Sequence, residues 1–185
     1  MIRRALLVAA VSTLVAAPTP AQGTFKLTSK EAAAGATMAV AQTFNSFGCS
    51  GANVSPSLAW TGAPAGTKSF ALTVYDPDAP TGSGWWHWVV YNIPASAKAI
   101  AAGAGDPKKS TLPTGSVQGN TDFGTPGYGG PCPPAGDKPH RYIFTLYALK
   151  TDKMDIPAGA TAAFVGFNIN GNKIGSATFT AMYGR

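Results

Sequence analysis

At 185 residues and 45% hydrophobic composition, the chain is long enough for one domain with a real buried core. Charged residues make up only 12%, while there are 22 glycines and 15 prolines, which argues against long surface helices and for short strands joined by turns. The formal charge of +6 is carried by scattered side chains, with only Lys108 and Lys109 adjacent among the lysines, so no basic stripe for nucleic acid is present.

Residues 1–21 read as a secretory leader. Arg3 and Arg4 give a basic start, an apolar run follows over 5–17, and Thr19 and Ala21 are the small residues that a signal peptidase inspects. The run is short for a membrane anchor, so no integral span is expected in the mature chain. Losing the two arginines takes the formal charge from +6 to +4 and leaves a single domain over 22–185 in the periplasm or outside the cell. Two cysteines in an exported protein invite a Cys49–Cys132 disulfide, the alternative being two separate thiols with one packed in the core.

After the leader, 25–28 is a first strand, 32–36 a loop or turn, and 37–47 a further strand. Residues 48–56 are loop chemistry throughout. A short strand starts at Leu58, and 69–75 alternates Phe70, Leu72 and Val74 with Ala71, Thr73 and Tyr75, the period of a half-buried strand. Asp76-Pro77-Asp78-Ala79-Pro80 stops it, because proline has no N–H to give a ladder. Residues 86–93 are apolar on both sides and read as a central strand, with Trp85, His87, Val89 and Tyr91 on one face and Trp86, Trp88 and Val90 on the other. The stretch 94–127 is poor in strand signals, and 127–139 is too dense in glycine and proline for a regular element. A strand over 141–149 follows, with His140 and Tyr142 on one face. A short helix over 160–169 and a last strand over 176–182 complete a mainly β chain, an antiparallel two-sheet sandwich or barrel.

Both histidines stand beside strand ends rich in proline, glycine and aromatic residues. One reading has His87, His140 and Tyr142 donating to an anion, with Asp76 or Asp78 orienting an imidazole and backbone N–H groups of 129–132 adding donors. The alternative is two satisfied core histidines and two aspartates that cap turns. Two further arrangements are weaker. A two-histidine, one-carboxylate metal triad has no closely spaced ligand pair, and in a Cys132–His140 nucleophile pair the cysteine would sit between prolines with no helix N-terminus beside it.

Four blocks, Asp76-Pro77-Asp78-Ala79-Pro80, 85–92, 127–134 and His140-Arg141-Tyr142, resemble the phosphatidylethanolamine-binding protein family, and within it the bacterial Raf kinase inhibitor-like branch. The resemblance runs over 25–185. It implies a fold of two antiparallel sheets and a small pocket for phosphate-like or carboxylate anions, lined here by Asp76, Trp85, His87, Pro134, His140 and Tyr142. Asp78 and Arg141 match positions that support the pocket loops. Two departures stand out: the loop Thr81-Gly82-Ser83-Gly84 is shorter than in animal members and lacks their tyrosine, and the chain ends just after its last strand. Both imply a more open pocket mouth. The expected function is an exported, non-enzymatic binding protein for a phosphate-like anion or phospholipid headgroup, needing no metal or cofactor and regulating a protein partner. The competing expectations are an inhibitor of a protease or other enzyme acting through the 106–139 loops, and a hydrolase using the pocket histidines.

Overall fold

In a computed structural model that describes residues 23–185, so that the leader expected over 1–21 lies outside the described residues, the chain forms two antiparallel sheets packed face to face, with one helix outside them. The smaller sheet holds β1 (Lys26–Thr28), β2 (Leu58–Thr61) and β5 (Ala99–Ile100) in the order β1-β2-β5. The larger holds β3 (Ser69–Asp76), β4 (Trp85–Pro94), β6 (Val117–Gln118), β7 (His140–Leu149) and β8 (Lys173–Tyr183), ordered β6-β4-β3-β7-β8. The expected sandwich, with its short helix near the C-terminus, is what the chain forms.

Period-two alternation sends Phe70, Leu72 and Val74 of β3, Trp88 and Val90 of β4, and Phe144 and Leu146 of β7 into the space between the sheets. There they meet Leu27, Leu58, Trp60 and Ile100 of the smaller sheet. β3 is more than half-buried, because its other face is covered too. Ala71 packs with Val89, Tyr91 and Leu149 beneath the helix α1 (Ala162–Asn172), whose Ala162, Val165 and Ile169 point inward. Thr161 caps that helix, its side chain accepting from the Phe164 N–H at 3.2 Å.

Two sequence expectations need correction. Residues 37–47 do not form a strand: they contain one parallel bridge, Thr37 to Met182, and a 3₁₀ turn over Val40–Gln42. Their backbone groups are spent on loops instead of a ladder. Phe44 N–H donates to the Pro131 carbonyl, and the Thr43 and Phe44 carbonyls accept from Asn53 and Gly51. The second correction concerns the faces of β4. Val74 pairs with Trp88 and Tyr75 with Trp86, so His87 is an extra residue, a β-bulge. Past the bulge the parity reverses, and Trp86 lies on the helix side with Val89 and Tyr91 rather than with Trp88 and Val90.

Candidate functional site: a cavity at the end of the larger sheet

The three central strands of the larger sheet present their ends together. β3 finishes at Asp76 opposite the start of β4, Asp76 pairing with Trp85, and β7 starts alongside at His140. A cavity of about 160 Å³ opens there. It is lined by all six residues expected to meet a ligand, Asp76, Trp85, His87, Pro134, His140 and Tyr142.

Asp76 is 2% exposed and fully engaged. One carboxylate oxygen accepts from the Asp78 backbone N–H at 2.8 Å, and the other accepts from His140 Nδ1 at 2.8 Å. A carboxylate accepts only, so Nδ1 carries the proton and Nε2 is the nitrogen left for other partners. Asp137, on the turn before β7, brings a carboxylate oxygen to 3.5 Å from that Nε2.

His87 is oriented differently. Its Nδ1 donates to the Gly129 carbonyl at 2.7 Å, and the Gly129 N–H donates back to the His87 carbonyl at 2.8 Å. Burial holds this imidazole below the usual histidine range, opposed by the Gly129 hydrogen bond and the negative charge of Asp76. The ring stands edge-on to Tyr142, with centroids 5.0 Å apart. Tyr142 is 1% exposed, and its hydroxyl has no hydrogen-bond partner among the described residues. Burial, reinforced by the Asp76 charge, pushes its ionisation well above the ordinary tyrosine range, so it stays a donor.

Asp78 and Arg141 are the struts outside. The guanidinium grips the Asp78 carboxylate through Nε at 2.9 Å and Nη2 at 2.6 Å, and the Arg141 backbone N–H adds a third bond at 2.9 Å. The Arg141 hydrogen bond pulls the Asp78 carboxyl down to about 2. This clamp fixes the 76–80 loop to β7, and with it the position of Asp76.

The glycine-rich 127–134 wall is pinned rather than open. Gly130 N–H donates to Asn53 Oδ1 at 2.7 Å, and a Cβ at Gly130 would collide with the Gln42 carbonyl, so only glycine fits. The Gly129 and Gly130 amides are therefore engaged within the protein, contrary to the expectation that they serve a ligand. Cys132 is bonded to Cys49, their Cα atoms 6.0 Å apart, which removes the thiolate that a Cys132–His140 pair would need. Sequence reasoning missed Phe47 and Phe123, which also line the cavity, and Arg185, which braces its wall.

The model of the phosphatidylethanolamine-binding protein family matches residues 28–184. This chain belongs to that family. Its relatives include YbcL of Escherichia coli, 54% identical over 159 residues, which cover 86% of this chain and 87% of that one. YbhB of the same organism is 52% identical over 140 residues, covering 76% and 87% respectively. The crystal structure of E. coli YbcL, itself described as a new member of the mammalian family, superposes with a TM-score of 0.85 at 53% identity, over 87% of this chain and 98% of that one. In family terms, the cavity lies where the four sequence blocks converge: the Asp76 loop, the start of β4, the 127–134 wall and the start of β7.

Proposed function

We propose that this family member is an exported, non-enzymatic binding protein whose cavity takes a small oxyanion, a phosphate or a phosphorylated headgroup, in the service of regulating a partner protein. The observation that carries the reading is the Tyr142 hydroxyl, a buried donor without a partner among the described residues, in a cavity that also holds two imidazoles. A buried polar group left unmatched is costly, and a ligand oxygen supplies the match. His140, its Nδ1 proton held by Asp76, leaves Nε2 beside the Asp137 carboxylate as an acceptor for a protonated phosphate oxygen, and the apolar remainder of the lining suits a small ligand. Export is supported by the basic, then apolar, N-terminal sequence and by the disulfide. The non-enzymatic part is supported by the state of the candidate nucleophiles: Cys132 is oxidised and Tyr142 is held protonated.

An NMR titration with inorganic phosphate and with phosphoethanolamine, observing both histidine rings, tests the reading. Saturable shifts at both rings are expected, and the ratio of affinities tells whether the ethanolamine is read. Tyr142→Phe is expected to weaken phosphate binding about tenfold or more while leaving stability unchanged or slightly raised, since it deletes a buried hydroxyl that bonds no described residue. Unshifted rings, or a Phe variant that binds like the parent, would sink the proposal.

A further inference from the structure

The geometry points to an aromatic subsite at the cavity mouth, walled by Phe47 and Phe123, that takes a flat apolar substituent carried by the bound oxyanion. The inference rests on the anion reading above and adds a ligand class to it: aryl phosphates and their like, rather than the bare ion.

Phe47 is 65% exposed, the cost of a large apolar side chain left in water. Its backbone adopts φ 56°, a conformation that a bulky residue rarely takes. Yet the loop around it is braced. Cys49, two residues on, is tied to Cys132, and the Arg185 guanidinium donates to the Gly48 carbonyl at 3.1 Å and the Pro133 carbonyl at 2.7 Å. Exposure and strain that persist in a braced loop mark a surface kept ready for something to cover it.

The neighbouring rings say what that something is. Phe123 stands 4.5 Å from Phe44 and 6.0 Å from Phe47, centroid to centroid, nearly parallel to the latter at 21°. Phe123 also meets Trp85 at 5.4 Å and His87 at 5.5 Å, both edge-on. One ring thus bridges the anion cavity and the exposed rim. Phe47 and Phe123 also line a second cavity of about 220 Å³, whose described walls mix Pro107, Pro126 and Tyr128 with the uncharged polar Ser46, Asn53, Thr121 and Thr125 and carry no charged residue. Here the packed rings lead from the imidazoles to the exposed Phe47 ring, so a ligand anchored at Tyr142 and His87 would lay its substituent along Phe123 and over Phe47.

Calorimetry with inorganic phosphate, butyl phosphate and phenyl phosphate tests the subsite on the oxidised protein. Phenyl phosphate is expected to bind about fivefold to tenfold tighter than inorganic phosphate, the increment of one favourable aromatic contact. In Phe47→Ala, and more weakly in Phe123→Leu, the ratio of the two affinities is expected to fall toward one. Equal binding of phosphate and phenyl phosphate by the parent would overturn the subsite and leave the anion reading standing. The subsite is overturned in the same way if Phe47→Ala keeps the ratio, or if butyl phosphate gains as much as phenyl phosphate. Binding of none of the three would overturn both.

Discussion

His87 carries the clearest consequence at the scale of one residue. Its imidazole is kept below the ordinary range by burial, while its Nδ1 proton is committed to the Gly129 carbonyl. An unfolded histidine takes up a proton at about pH 6.5. Below that pH the unfolded chain binds a proton that folded His87 resists, so the folded state loses stability as pH falls from about 6.5 toward the lower folded value. At higher pH the group contributes no such loss. Asp78, held to about 2 by Arg141, keeps its own contribution through this window and loses it only in stronger acid. Urea midpoints measured between about pH 7.5 and 5 are therefore expected to fall in the parent and to fall less in His87→Asn, whose amide can still donate to Gly129. Added phosphate should flatten the parent curve, since an anion beside the ring offsets the cost of charging it. Equally steep profiles in parent and variant would assign the acid loss to other groups.

At the scale of elements, alternation was enough to place β3, and short apolar runs bounded by proline- and glycine-rich breaks were enough to place β4 and β7, because burial is what a strand pattern encodes. It was not enough to find the bulge at His87. An inserted residue changes which side chains share a face without changing composition, and nothing in WWHWVVY marks the break. The expected strand over 37–47 failed for a related reason: its hydrogen bonds go to the 49–53 and 131 loops, a long-range choice invisible locally. The turn between β3 and β4 was legible as a break, but its dependence on Gly84 was not. Gly84 sits at φ 69°, and a Cβ there would collide with the Tyr75 hydroxyl and lie 2.6 Å from the Asp76 carbonyl. Tyr75 in turn bonds the Ser83 carbonyl at 2.7 Å, closing the turn on itself. Gly84→Ala is expected to cost about 1–3 kcal/mol through strain and forced movement. It should also weaken phosphate binding, because the backbone that must shift carries Asp76. Chemical denaturation and the phosphate titration check the two effects; a variant with the parent's midpoint would show that the turn relaxes freely.

Across the whole molecule, the four sequence blocks converge because antiparallel order brings the end of β3 beside the starts of β4 and β7. The residues at those ends were legible in advance. Phe47, Phe123 and Arg185 were not: they come from loops, where no period says what a side chain faces. The Cys49–Cys132 bond ties two such loops across a separation of 83 residues. By loop-closure entropy, a crosslink of that span removes about 4–5 kcal/mol of freedom from the unfolded chain. The folded wall has other ties, however. Asn53 bonds both the Tyr128 carbonyl and the Gly130 N–H, Phe44 bonds the Pro131 carbonyl, and Arg185 bonds Pro133. These hydrogen bonds hold the cavity without help from sulfur. The Cys49→Ser/Cys132→Ser double variant is therefore expected to lose several kcal/mol of stability, up to about 4, while inorganic phosphate affinity in the folded fraction stays within about threefold. Denaturant melts and titration at a temperature where the variant is fully folded separate the two. Phosphate binding lost from a folded variant would mean that the disulfide shapes the native wall itself, and that the hydrogen bonds around Asn53 and Arg185 follow from it rather than standing alone.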